Sequence, residues 1–477
     1  MKNENQLHIL RFGTIGDKSH LENKLSSYDC LGINGNSAAY VSSSIAQLIV
    51  NNFFSNEDKG YFIDPITYSF QAEINLLQKA SKDNTFPELK KSIQKLLKYY
   101  QEPVNIIKQN RTLVPEDFSS EQIKNEFCKR VLDFQYNLIY DFVNDGDMKP
   151  YLEFVCANLP QNNTIRPAFL IAPYFYLNAN DIENCKCWLK LNKDFINIST
   201  DLSKNYYNNI PVYAQLVISK DILNDHDAIE TIASAYKENE MQGITVWIDG
   251  FDEHKATKEE LSDFIYFLKA LPNIHKYNMY GSYFSELLTH TDLGLLNGVS
   301  HGLEYGEDRA VYPVGGGIPV SKYYYYPIHN RIDFTAAFKL LEKENIIDIN
   351  QPDWGQSDKY FKEICNCEKC KSLIKDTMLG FFKFESNEYY EVKNRKGNVL
   401  RRKKASRNTK ENCLYHYLNC KEKEFSTIRN SELSNLLSDL NNNYTKYNDS
   451  LSSPISTFNV EYLNNWKCSI EDFISER

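Results

Sequence analysis

The stretch GITVWIDGFDEHKATKEELSDFIYFLKAL, residues 243–271, holds the unit from which the fold follows. GITVWIDG (243–250) is apolar without alternation until its closing aspartate, so the strand it predicts must be buried on both faces, as in a parallel sheet covered by helices. KEELSDFIYFLKAL (258–271) supplies such a helix. Comparable strand-like runs stand at YDCLGIN (near 29–35), GYFIDPI (60–66), AFLIAPYFYL (168–177), PVYAQLVI (211–218), KYNMYG (276–281), GLLNGVS (294–300) and KYYYYPIH (322–329). Eight runs separated by helix-compatible chain predict a closed (β/α)8 TIM barrel over residues 1–345, with an open doubly wound sheet as the alternative. LHILRFGT (7–14) and FINIST (195–200) are two further strand candidates that blur the count.

Residues 72–160 interrupt this alternation and read as an inserted helical subdomain. Ser119 and Gln122 offer a capping box, and Ile123, Phe127, Val131, Phe134, Leu138 and Phe142 recur at helical spacing. That stripe predicts packing against the barrel. From 346 to 477 the pattern changes again. Pro352-Asp353-Trp354-Gly355 breaks the chain, a cysteine cluster and a basic arm follow, and NNNYTKYNDSLSS (441–453) predicts an exposed loop or linker.

The 477 residues carry 25% charged and 42% hydrophobic side chains, which excludes a disordered chain or a fibre and allows a sizeable core. No run of about 18 apolar residues occurs, and the start MKNENQLHILRFG lacks the basic-then-apolar plan of a signal peptide, so a cytoplasmic protein without a membrane partner is expected. The formal net charge of -9 argues against a protein that coats nucleic acid indiscriminately. One local exception stands out. Between Lys393 and Lys410 lie Lys393, Arg395, Lys396, Arg401, Arg402, Lys403, Lys404, Arg407 and Lys410, with no acidic residue among them. The turn signal Asn394-Arg-Lys-Gly-Asn398 predicts a β-hairpin that projects these charges toward the phosphates of RNA or DNA, with an acidic protein as the other candidate partner.

Eleven cysteines in such a chain look reduced, so close clusters are tested as metal ligands. Cys365, Cys367 and Cys370 place three thiols on one tight turn, the first half of a tetrahedral zinc site. His416, at the start of a helix-like segment, is the chosen fourth ligand, with Cys413 and Cys420 as competitors. Three sulfurs and one imidazole fill a zinc shell, so the site is expected to be structural and closed to water. Cys185 and Cys187 have no evident metal partners.

ICNCEKCKSL followed by LYHYLNCKEKEFSTIRN resembles the zinc motif of tRNA-guanine transglycosylases, in which Cys-x-Cys-x-x-Cys is completed by a His opening a helix on a (β/α)8 barrel. YGSYFSELLTHTDLGLLNGVSHG (280–302) is similar to the part of that family where a Gly-containing strand leads through a helix to a Gly-Val strand. The resemblance spans about 60–430, outside the helical insertion. Three departures accompany it: the 45 residues between Cys370 and His416, the absence of an Asp after Gly298-Val299-Ser300-His301-Gly302-Leu303-Glu304, and Asp64-Pro-Ile-Thr-Tyr-Ser-Phe-Gln71 in place of the family's phosphate-side loop. They resemble the divergent DNA-modifying and defence-associated branch more than a housekeeping tRNA enzyme.

The resemblance implies exchange of guanine for a 7-deazaguanine base in tRNA or DNA, and at family level a homodimer or an operon-encoded protein partner. The competing expectation is a barrel that has lost catalysis and recognises a deazaguanine-modified nucleic acid, nucleotide or protein. Barrels place functional side chains after their strands, which nominates Asp249 and Glu307 as the carboxylate pair for base exchange, with Asp64 in reserve. The segment HGLEYGEDRAVYPVGGGIPVSKYYYYPIH (301–329) joins three glycines to donors and rings. His301, Arg309, Gly316, Tyr324 and His329 are its candidate base-binding residues. Arg395, Arg401, Arg402, Lys403 and Lys404 are the candidate phosphate contacts.

Overall fold

The computed structural model describes residues 6–13, 18, 21, 27–55, 59–79, 88–143, 150, 154, 165–179, 182–303, 307–312, 320–393, 398–451 and 459–477. Two compact units emerge, one formed by Met1–Asp252, Ser262–Thr289 and Leu293–Pro313, the other by Glu253–Leu261, His290–Asp292 and Val314–Arg477.

The first unit is the barrel. Its strands are β1 (Leu7–Phe12), β2 (Cys30–Asn34), β3 (Gly60–Asp64), β4 (Leu170–Ile171), β5 (Val212–Ser219), β6 (Gly243–Asp249), β7 (His275–Asn278) and β8 (Gly298–Gly302). They pair in parallel in the order β3-β2-β1-β8-β7-β6-β5-β4. Ala168 N donates to Tyr61 O at 2.7 Å and brings the two ends of that order together. This is the predicted (β/α)8 barrel, with one strand reassigned. The eighth is LHILRF at the start of the chain, and KYYYYPIH lies in the second unit. Pro327 cannot donate to a ladder, and the backbone turns through a 3-10 segment to a left-handed His329, leaving only the short strand β9 (Tyr323–Tyr325) against β10 (Asn330–Ile332). FINIST is helical, inside Ile182–Tyr206, because Phe195, Ile196, Ser199, Thr200 and Ser203 recur on one buried helical face.

Strand register fills the barrel with rings. Phe62 and Phe169 stack at 4.6 Å, Phe169 and Tyr213 at 4.1 Å, and Tyr213 and Tyr277 at 5.6 Å. Gly243 makes room for them, since a Cβ there would lie 2.2 Å from the Tyr213 ring. Gly243→Ala is therefore expected to cost about 1–3 kcal/mol by overpacking, measured as a lowered urea midpoint; an unchanged midpoint would show that Tyr213 yields freely.

The interruption between β3 and β4 contains helices Lys91–Tyr100 and Glu121–Val143. The cap of the second is Ser120, one residue after the predicted Ser119: its Oγ accepts from Ile123 N at 3.2 Å. Phe127, Val131, Phe134 and Leu138 are buried as the stripe predicts, and the Phe142 side chain lies outside the described residues. Gln135 on the same helix accepts from Ile171 N and donates to Ile171 O, both at 2.8 Å, so a side-chain amide serves the short β4 where a longer neighbouring strand would.

In the second unit, helices Arg407–Asn430, Leu433–Leu451 and Glu461–Ser475 follow the two-stranded ribbon of β11 (Glu388–Lys393) and β12 (Val399–Lys404). Residues 441–451, expected to be a loop, continue a helix, because Leu433, Leu436, Leu437, Leu440 and Tyr447 form one buried stripe at helical spacing. The break at Trp354-Gly355 is real: both residues have positive φ. Among the described residues no helix is long and apolar enough to cross a membrane.

Candidate functional site

The C-terminal ends of the barrel strands carry a ring-lined mouth. Asp64 ends β3 and Asp249 ends β6, with side chains on the same inward-facing positions as Phe62 and Trp247. Tyr174 OH donates to Asp64 Oδ1 at 2.6 Å, and Ile66 N reaches the same oxygen at 2.9 Å. Tyr176 OH donates to Asp249 Oδ2 at 2.9 Å, and Val311 N donates to Oδ1 at 2.8 Å. Tyr68 joins the two acids: its ring lies 5.7 Å from Tyr174, 5.4 Å from Trp247 and 6.3 Å from Tyr312, which in turn is 6.0 Å from Tyr176.

Arg309 crosses this mouth. Its Nη1 donates to Tyr280 OH at 3.2 Å, its guanidinium sits 5.9 Å over Trp247, and its carbonyl accepts from Trp247 Nε1 at 3.0 Å. Arg11, near the end of β1, holds its guanidinium 3.8 Å over the ring of the same Tyr280 and donates to Met279 O and Ser300 O. Burial raises the Asp64 carboxyl above its ordinary range, against the opposing pull of Tyr174, Ile66 N and the Arg309 charge. Burial likewise holds the Tyr68 and Tyr174 phenols neutral. The mouth thus combines planar walls, a carboxyl that favours its proton, a second carboxylate with both oxygens engaged, and a guanidinium. Such a set suits a flat, polar heterocycle.

The raised Asp64 value carries a sign. Its native form holds a proton more tightly than the unfolded chain, so its contribution to stability is full below the ordinary carboxylate range and is lost as pH climbs through the raised value. Asp64→Asn keeps an acceptor for Tyr174 and Ile66 N and removes the titration. Thermal unfolding followed upward from the ordinary carboxylate range should show the variant gaining stability relative to the parent as pH rises; parallel curves would contradict this.

The metal cluster lies in the second unit. The ligand atoms of Cys365, Cys367, Cys370 and His416 all fall within 4.8 Å of one another, and the group could hold a metal ion. His416 Nδ1 stands 3.8, 3.4 and 3.3 Å from the three sulfurs in that order. Zinc bonds of about 2.3 Å to sulfur and about 2.0 Å to nitrogen imply S···N separations of about 3.5 Å in a tetrahedron, so the cluster has the required size. His416 Nε2 donates to Tyr324 O at 2.7 Å, which fixes the tautomer that leaves Nδ1 for a cation. Burial opposes charge on this imidazole, yet the Cys365 and Cys367 thiolates outweigh it and lift His416 to about 10, so a cation would enter by replacing a proton. Of the competing ligands, Cys413 donates to Phe384 O at 3.6 Å, whereas Cys420 stays 3.7 Å from Cys365 Sγ, a fourth sulfur beside the three of the cluster.

Of the residues nominated from sequence, the mouth brings together Asp64, Asp249 and Arg309. Glu307 is half-buried on the segment leading to Arg309. His301 shares a strand face with Leu10 through the β1–β8 register and is fully buried beside Glu286 at 3.0 Å and His8, on the helix side of the barrel wall. Tyr324 and His329 both bind Glu424 Oε1, at 2.7 and 2.5 Å, in the second unit, where Tyr323 stacks on His416. Arg401, Arg402, Lys403 and Lys404 occupy β12, while Gly316 and Arg395 lie outside the described residues. The sequence reading missed Arg11, Tyr68, Tyr174, Tyr176, Trp247, Tyr280 and Tyr312. Period-two alternation was the available signal: Trp247 is two residues before Asp249, and Tyr174 and Tyr176 alternate after β4.

No family model matches the chain, and no curated protein does. Among solved structures, it is similar to a chain whose title reads "putative lyase/mutase" from Burkholderia cenocepacia J2315, at 8% identity and a TM-score of 0.31 over 62% of this chain and 76% of that one. A likeness at that score carries no argument about activity.

Proposed function

We propose that the barrel handles a nucleobase in nucleic acid and exchanges guanine for a 7-deazaguanine base, as a divergent transglycosylase-like glycosyltransferase acting on tRNA or DNA in the cytoplasm, within a modification or anti-phage defence pathway. The observation that carries this reading is the pairing of two differently held carboxyls in one aromatic mouth. Asp249 is the group that bonds to the anomeric carbon as the bond from C1′ to the base nitrogen breaks. Burial makes Asp64 hold a proton more tightly than an ordinary carboxyl, and both its donors reach Oδ1, which leaves Oδ2 as the oxygen that, in this reading, carries the proton the departing purine takes. The incoming base then attacks C1′, frees the Asp249 carboxylate and returns a proton to Asp64. Arg309 and the Tyr68, Tyr280 and Trp247 rings orient the purine, and Glu307 is the reserve acid/base on the covering segment. Cys365, Cys367, Cys370 and His416 would hold a structural zinc that ties the Arg407–Asn430 helix to the cysteine turn.

Labelled guanine and 7-deazaguanine bases, supplied with tRNA and DNA in parallel, test this by label entering the polymer. A second reading rests on Asp249 itself, whose two oxygens are both engaged, as suits a fixed acceptor in a recognition module for a deazaguanine-modified partner. Purine binding without incorporation into either polymer would favour it.

A further inference from the structure

The basic arm has a form that discriminates among polymers. β11 and β12 pair in antiparallel register from Glu388↔Lys404 to Lys393↔Val399 and, among the described residues, join no third strand. Alternation gives the ribbon two unlike faces. Tyr389, Glu391, Arg401 and Lys403 share one and are all exposed, while Tyr390, Val392 and Lys404 on the other are partly covered. The Arg401 guanidinium lies 4.2 Å over the Tyr389 ring, which holds the charge outward on an aromatic that is itself 46% exposed. Lys403 and Lys404 pair with Glu385 at 3.4 Å and Glu388 at 3.3 Å, but among the described residues no carboxylate pairs with Arg401 or Arg402. A chain of net charge -9 therefore presents two adjacent exposed guanidiniums on a two-stranded ribbon, one of them held over a ring.

We infer that this ribbon is a docking element for B-form duplex DNA, entering the major groove with Arg401 and Arg402 on opposite faces, toward the two flanking strands. The deduction rests on the nucleic-acid reading proposed above and names its polymer. Six paired residues at about 3.4 Å each span roughly 20 Å, and two strands about 4.8 Å apart fit a groove about 12 Å wide. The A-form major groove of duplex RNA is too narrow and deep for such a ribbon. Arginine forks engage phosphate or guanine edges in two-point contacts, and the Tyr389 ring beneath Arg401 holds that fork toward its flanking strand.

The test is fluorescence anisotropy of the zinc-loaded full chain with one 20-base-pair duplex as DNA and as RNA, with the single strands, and with tRNA, from 50 to 200 mM NaCl. Duplex DNA is expected to bind tightest, and the Arg401→Ala/Arg402→Ala variant to bind it at least about tenfold more weakly, with a salt slope shallower by about 2. Metal content and thermal unfolding of the variant, measured alongside, report on folding, and Arg401→Lys/Arg402→Lys should restore part of the affinity. Equal DNA affinity in parent and alanine variant, or a preference for duplex RNA, tRNA or single strands, would overturn the assignment. Duplex binding without label incorporation would sink base exchange and leave the ribbon's role standing.

Discussion

Replacing His416 with alanine is expected to yield protein with under a tenth of the parent's bound zinc and a second unit that unfolds at markedly lower temperature. Three losses coincide there. The cation loses its nitrogen ligand, Tyr324 O loses the buried donor that reached it at 2.7 Å, and Tyr323 loses the ring stacked 4.4 Å away at 11°. A structural zinc contributes on the order of 10 kcal/mol in small domains, because the ligands come together only in the folded state. Here Tyr417, Leu418, Phe425 and Ile428 also anchor the same helix, so a loss of several kcal/mol short of complete unfolding is expected. His416→Cys, which keeps four ligands, should recover most of the metal. Cys420→Ser should leave it unchanged, since this fourth sulfur is outside the set of four ligands. Full zinc occupancy in His416→Ala, lost only when Cys420→Ser is added, would instead assign the fourth ligand to Cys420. Elemental analysis with thermal unfolding reads all four variants.

The cysteine turn was legible because metal ligation is a short-range pattern: Cys365, Cys367 and Cys370 fall within six residues and need only one distant partner. The barrel was legible through its doubly buried strands, which advertise themselves as unbroken apolar runs. The exchange of β1 for the tyrosine run had a different cause. LHILRF carries His8 and Arg11 amid its apolar residues, and their burial depends on neighbours far along the chain: His301 beside His8, and Tyr280 beneath Arg11. KYYYYPIH looks more like a strand, but its rings are buried in the metal-cluster unit, where Tyr323 reaches Tyr360 and His416. Spacing alone could not choose between the two units. The same limit separated Arg309 from Tyr324 and His329, which are near in sequence yet belong to different compact units. Inward alternation along each strand would have found Trp247 from Asp249, but which strands share a mouth is a property of closure.

Asp249→Asn is expected to lower base exchange by about a thousandfold or more, equivalent to ~4 kcal/mol on the barrier, while leaving the fold and purine binding close to the parent's. The amide is nearly isosteric, its oxygen can still accept from Val311 N, and its nitrogen can donate to the Tyr176 hydroxyl, which accepts as readily as it donates. What it cannot do is form the bond to the anomeric carbon. Asp249→Ala would blur the result, because it leaves Val311 N and Tyr176 OH without their acceptor and loosens the segment that carries Arg309. Exchange in the parent should leave a polymer covalently joined to the protein after denaturation, visible as a shifted band that the asparagine variant lacks. If Asp249→Asn retains exchange within a few-fold, the reacting carboxylate is elsewhere, and Asp64→Asn and Glu307→Gln are the variants whose loss of the adduct would identify it. If the parent forms no adduct and the asparagine variant binds purine as well as the parent, the engaged geometry of Asp249 is its function, and the mouth recognises a modified base without altering it.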